Sequence, residues 1–464
     1  MGAGVSYWGL AQAVSKLGQL GVVSGTGLDQ IMARRLQSGD PGGHVRRALS
    51  HFPFPKMAQR ILDAHFIPGG KAPDAPFRTA IMHGLHGRRE PLELCIAANF
   101  VEVFLAREGH SNPVGINYLE KIQLPHLPSV YGAMLAGVAV VILGAGIPIE
   151  MPQVLDALAR HQPVSYPLNV LGALPGDVYR MSFDPADFHE GGRALASLIR
   201  PDFLPIVSTD GLANILVKKA NGIINGFVIE GHRAGGHNAP PRGVTKLSED
   251  GQPIYGPRDT ADLDVMRKLG VPFWLAGTYG APERVREALA AGAAGVQVGT
   301  AFALCTESGL CPEFRRALIL NALAGKGRIF TDPKASPTGF PFKVAELQGT
   351  LSQDEVYNQR RRTCDLGFLR QAYRLPDGKI GYRCAAEPVA AFVAKGGNPD
   401  DTAGRKCLCN ALVANIGLPQ IMADGSIEKP LITLGDDYEN IGRFCAAERL
   451  DYSAADVIRI LLGA

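Results

Sequence analysis

Short, continuous apolar runs recur at 114–117, 139–143, 203–207, 226–229, 272–276 and 295–298, and helical stretches at 127–136, 151–160, 212–220, 263–269 and 282–291 separate most of them. Strands that are apolar throughout, instead of alternating, belong in a parallel sheet whose two faces are both covered. A further short run at 20–23 raises the number of predicted strands to seven, and the glycine-rich opening, Gly2-Ala3-Gly4, would follow an eighth. Eight β/α units imply an α/β fold of the TIM (β/α)8 barrel type, with its site at the carboxyl ends of the strands. A doubly wound open sheet is the alternative, but the early Gly-x-Gly-x-x-Gly turn it normally uses is missing. The first strand is nearly absent, which implies a start placed too late or a shortened barrel edge.

Around this frame, Ser6 is expected to cap a helix over 7–17, and further helices are expected at 28–36, 56–66 and 91–107. The barrel is assigned to residues 1–343, with insertions at about 38–108, 163–190 and 238–259. Residues 164–183 read as a hairpin turning at Pro175-Gly176-Asp177. The stretch 238–259, rich in Pro and Gly, follows His237 directly and is placed to act as a lid. From about residue 344 the composition shifts, and 344–464 is read as a C-terminal extension of mixed or mainly helical structure.

A formal charge of +3 with 20% charged residues provides no basic field for nucleic acid and no membrane patch. No apolar run approaches the ~20 residues of a membrane span, and no signal-peptide pattern opens the chain. The expected location is cytoplasmic, where eight cysteines stand as thiols or metal ligands and not as a disulfide framework.

Two kinds of segment carry chemistry. In the first, the strand at 226–229 runs into Glu230-Gly231-His232-Arg233-Ala234-Gly235-Gly236-His237. Gly235 and Gly236 let backbone approach a flat or anionic ligand, and His237 offers a group that titrates near neutrality. In the second, Ala276-Gly277-Thr278-Tyr279-Gly280 and Gly295-Val296-Gln297-Val298-Gly299-Thr300 are strand-to-helix glycine turns in consecutive units, about 20 residues apart. Such a pair forms a phosphate site from backbone N–H groups. His83, His86 and Arg88, in a Gly-rich loop, are weaker candidates for the pocket mouth.

In order and content, Met1-Gly-Ala-Gly-Val-Ser, Leu20-Gly-Val-Val, Val114-Gly-Ile-Asn117, Glu230-Gly-x-x-Ala-Gly-Gly-His237, Ala276-Gly277 and Ala291-Gly-Ala-Ala-Gly-Val-Gln-Val-Gly-Thr300 resemble the nitronate monooxygenase (2-nitropropane dioxygenase) family. That family also includes flavin-dependent enoyl-thioester reductases, some acting in trans on polyketide and polyunsaturated fatty-acid synthases. The resemblance covers roughly residues 1–330 and implies an FMN-binding barrel. It implies that Gly2 lies against the flavin ring and Asn117 hydrogen-bonds it. Gly235 and Gly236 would pack along it, and Gly277, Thr278, Gly299 and Thr300 would hold the phosphate, with Gln297 nearby. Ser208 stands at a strand end where relatives carry a polar residue or lysine, and His237 matches the active-site histidine.

The function implied is FMN-dependent oxidation of a nitronate or nitroalkane with O2. The first alternative is an NAD(P)H-dependent enoyl-thioester reductase, and the second is a flavin-binding accessory protein without turnover. Candidate partners are a small-molecule or acyl-thioester substrate, an acyl carrier protein and a second copy in a homodimer. After His237 the chain departs from the family's Gly-Gly-His-x-Gly, reading Asn238-Ala239-Pro240-Pro241-Arg242. Cys364, Cys384, Cys407 and Cys409 have the chemistry for zinc or an iron–sulfur cluster. Cys-x-Cys is tighter than the usual motif and the other spacings are long, so no metal ligand is assigned.

Overall fold

The structure is a computed structural model that describes residues 2–85, 87–191, 195–446 and 449–463. Met1 of the opening motif and His86 therefore lie outside the described residues. Seven strands form one parallel sheet: Gly21–Ser24 (β1), Val114–Leu119 (β2), Val140–Gly144 (β3), Asp202–Val207 (β4), Phe227–Glu230 (β5), Phe273–Ala276 (β6) and Gly295–Gln297 (β7). Each pairs with the next in chain order, through registers such as Val23↔Ile116, Ile116↔Val141, Val228↔Trp274 and Trp274↔Gly295. A doubly wound sheet reverses its strand order at a switch point. Here the order never reverses, so the chain winds in one direction as a barrel does.

The sheet curls around its own side chains. Ile142, Leu204, Val228 and Ala276 form an interior cluster that Val22, Val140, Ile206 and Trp274 pack against, so β1 and β6 reach the same core. The expected closure by eight strands is not present, because among the described residues β1 and β7 do not pair. The physical reason is local: residues 3–6 form turns, not a strand, with Gly4 at φ 67°. On the outside of this seam the C-terminal helix Ala454–Leu462 packs against both Trp8–Lys16 and Pro282–Ala290.

Ser6 is not a cap. Its hydroxyl donates to Val22 O at 2.6 Å, and the helix begins at Trp8 after Tyr7. The hairpin forms as expected, Val164–Pro167 antiparallel to Arg180–Phe183. Beyond the sheet, Phe342–Ala345 pairs with Ile329–Asp332, and Gln371–Arg374 with Ile380–Arg383. No described helix is long and apolar enough to cross a membrane.

Candidate active site

The carboxyl ends of β2, β3, β4 and β5 open into a cavity of about 680 Å³. Gly2, Asn117, Ser208, Gly235, Gly236 and His237 all line it. A second cavity of about 480 Å³ reaches into the barrel interior and along the seam, and Gly277, Thr278, Gln297, Gly299 and Thr300 line that one. Gly2, Glu230, Gly235, Gly236 and Thr433 border both. The site residues expected from sequence thus gather in two adjoining spaces.

His237 is half-buried and opens to the larger cavity. Its Nε2 shares a 2.7 Å hydrogen bond with Ser336 Oγ, which is fully buried and in turn bonds Thr338 Oγ1. The Phe342 ring stands edge-on to the imidazole at 4.9 Å. Burial first, and then the nearby Lys121 cation, lower the imidazole pKa to about 3, so His237 is neutral at physiological pH. Lys121 is itself brought down to about 7 by burial, and its ammonium lies 2.8 Å from the Phe340 ring centroid. Burial raises the Glu230 carboxyl to about 7.

The glycine loop is held from outside the barrel. Gly236 N–H donates to Thr433 Oγ1 at 2.8 Å, Lys343 N–H to Gly236 O at 2.9 Å, and Asn238 N–H to Pro341 O at 2.9 Å. Gly236 has φ 86°, and a Cβ built there meets nothing within 4 Å. A Cβ on Gly299 likewise meets nothing. Open space before backbone suits a flat ligand lying against the loop, so these residues fit a flavin.

The turns at Thr278 and Thr300 combine strain with competition. Thr278 holds φ 64°, a left-handed conformation costly for a β-branched residue. The Asp437 carboxylate stands in the same turns, accepting from Thr300 and the Gly280 N–H, and burial raises its pKa. An anion binding there would be favoured by protonation or displacement of Asp437.

The stretch 238–259 covers one side of the larger cavity. Tyr255 stacks on His232 at 4.2 Å, and Arg242 donates to Thr209 Oγ1 at 2.6 Å. Arg242 and Arg258 line the cavity there. His83 is instead buried on Asp29 at 2.8 Å, and Arg88 is exposed and lines neither cavity. Sequence reasoning missed Lys121, Ser336, Thr433 and Asp437. Lys121 alone had a signal, since it follows the end of β2; the others lie far along the chain from the motifs they serve. Among the described residues no group of three or more His, Cys, Asp or Glu stands in metal-ligating geometry.

Residues 193–332 match the family model described as nitronate monooxygenase. No curated protein matches the chain. Among solved structures, FabK from Thermotoga maritima is 16% identical with a TM-score of 0.45, covering 99% of this chain and 88% of its own. A nitroalkane oxidase from Streptomyces ansochromogenes is 16% identical with a TM-score of 0.47, covering 100% and 93%. The enoyl reductase domain of MlnA from Bacillus amyloliquefaciens is 12% identical with a TM-score of 0.35, covering 78% and 66%. The matched segment holds β4 to β7, the His237 loop and both glycine turns, so this part of the chain is similar to nitronate monooxygenases.

Proposed function

We propose that this chain is an FMN-dependent enzyme built on a barrel-like sheet of the TIM type that oxidises a nitronate or nitroalkane with O2. The observation that carries the reading is His237: neutral, half-buried, anchored by Ser336, and opening to the same cavity as Asn117 and the Gly235-Gly236 backbone. Gly2 and Asn117 would hold the flavin ring, with Ser208 at a strand end in the same cavity, and the turns at Gly277-Thr278 and Gly299-Thr300, with Gln297 nearby, its phosphate. When bound, the flavin supplies two-electron oxidation and, once reduced, reactivity toward O2.

The chain's own part is binding and proton handling. Removing a carbon-bound proton beside a nitro group requires a base that is unprotonated at working pH. His237 meets this, because burial keeps it neutral, and Ser336 fixes the ring through Nε2. For a nitronate, already deprotonated, the imidazole orients the substrate. The apolar walls, among them Ile122, Ile206, Phe342 and Leu412, exclude water from the exchange.

A second reading has its own support. Arg242 and Arg258 line a cavity larger than a short nitronate requires beside a flavin ring. Guanidinium groups suit a phosphorylated carrier, so an NAD(P)H-dependent reductase of enoyl thioesters, served by an acyl carrier protein, is the alternative.

Anaerobic visible spectra separate the readings. Bleaching of the flavin bands by a nitronate or nitroalkane, but not by NAD(P)H, supports the oxidase; bleaching by NAD(P)H followed by recovery with an enoyl thioester supports the reductase. His237→Ala should lower turnover of a nitroalkane by about 10²- to 10⁴-fold with flavin still bound. Unchanged turnover would remove the base assignment, and no turnover in the unmodified protein would leave a flavin-binding accessory role.

A further inference from the structure

Four cysteines that the active-site reading does not use come together in one place. Cys364 follows the helix Asp354–Gln359, Cys384 follows the strand Ile380–Arg383, and Cys407 and Cys409 open the helix Leu408–Ala414. Cys384 and Cys407 are buried with Ala386 in a compact cluster, and Cys364 and Cys409 pack against it, less deeply. All four are free thiols. None of the described residues forms a ligating group of three, and the four thiols stand as neighbours in one cluster.

The four are not equivalent. The Cys384 thiol hydrogen-bonds the Cys364 sulfur, which lowers the Cys364 pKa and raises that of Cys384; the Arg370 guanidinium adds to the effect at Cys364. Burial raises the thiols of Cys407 and Cys409. A partly accessible thiol of lowered pKa beside a buried thiol of raised pKa has the asymmetry of an attacking and a resolving sulfur.

We propose that Cys364 and Cys384 form a redox-active dithiol that reacts with hydroperoxides, Cys364 attacking and Cys384 resolving. With hydrogen peroxide, Cys364 sulfur attacks one oxygen, the O–O bond breaks, and a sulfenic acid and one water form. Cys384 sulfur then displaces the sulfenic hydroxyl as a second water. Two thiols lose two electrons and two protons, one S–S bond forms, and the peroxide is reduced to two waters. Arg362 donates to Ala385 O at 3.2 Å, holding the two segments side by side for this step. The inference is independent of the flavin chemistry. It does place the bridge near the substrate space, since Phe368 and Leu369, just beyond Cys364, and Cys409 of the same cluster line the larger cavity.

The test is thiol mapping of the intact, fully reduced protein. A limiting alkylating reagent should label Cys364 at least about tenfold faster than Cys384, Cys407 or Cys409. Hydrogen peroxide should then remove two of the eight thiols, give a peptide pair bridged between Cys364 and Cys384, and be reversed by dithiothreitol. Cys364→Ser should abolish the bridge and Cys407→Ser should keep it; if either variant fails to fold, the peptide map of the unmodified protein decides alone. Oxidation of Cys364 to sulfinate without a bridge, or a bridge joining any other pair, would overturn the proposal. So would one equivalent of zinc or iron per chain in the isolated protein, with the four thiols unreactive until chelation.

Discussion

His237 shows how far a single residue's chemistry depends on what surrounds it. In an unfolded chain its pKa is that of ordinary imidazole, near 6.5; in the fold burial and Lys121 bring it to about 3. Between those values the unfolded state binds a proton that the folded state does not. Stability should therefore fall as pH drops through that window, by at most about 1.4 kcal/mol per pH unit from this group. Thermal melts between pH 7 and 4 should show a shallower decline for His237→Gln than for the unmodified protein; parallel curves would refute the assignment. The same depression keeps the base unprotonated, so substrate deprotonation should not be lost between pH 7.5 and 5.5 through titration of His237. Ser336 holds the imidazole through Nε2, and Ser336→Ala should alter the pH profile of turnover more than flavin affinity.

At the scale of elements, the loop between β5 and the stretch 238–259 is where local pattern and long-range packing meet. Gly235 and Gly236 are adjacent but constrained by different things. A Cβ on Gly235 would lie 2.9 Å from the Leu434 carbonyl carbon and 3.0 Å from Gly435 N, both backbone atoms. A Cβ on Gly236 would meet open space, and only its φ of 86° resists substitution. Gly235→Ala should cost about 1–3 kcal/mol as an overpacked contact, whereas Gly236→Ala should cost about 1 kcal/mol of backbone strain. Denaturant melts can rank the two, and equal losses would show that the contact with 434–435 does not constrain the loop. Gly235 and Gly236 were legible as a close-approach motif from sequence, but the segment they approach was not. Gly236 meets Thr433 across 197 positions of chain, and no local propensity spans that distance. The Ser6 cap failed for the same kind of reason. Its hydroxyl had a nearby partner in the first turn, but the fold offered Val22 O instead.

The molecule as a whole is held by cores that ignore the division of the sequence into barrel and extension. One cluster joins Val5, Leu10 and Val14 to Leu304 and Leu318 and to Ile432, Tyr438, Val457 and Leu461. The helix Ala454–Leu462 spans the seam of the sheet and lines the second cavity through Ile458, Leu461 and Leu462. Removing residues 453–464 withdraws Val457 and Leu461 from that core, at roughly 1.5–3 kcal/mol for each buried aliphatic side chain. The shortened protein should melt at lower temperature and retain less flavin through a desalting column. An unchanged melt would show that the seam needs no cover.

The sequence by itself determined the strands, the loop that carries His237 and the paired glycine turns, because apolar period, chain-breaking glycines and residue chemistry are local properties. Which hydroxyl grips the histidine, which carboxylate stands in the glycine turns, and whether the sheet closes were decided only by tertiary structure. Ser336, Thr433 and Asp437 reach the site through packing of the C-terminal stretch onto the sheet. Their positions follow from which apolar surfaces bury one another, and that is a property of the folded chain and not of any window of residues within it.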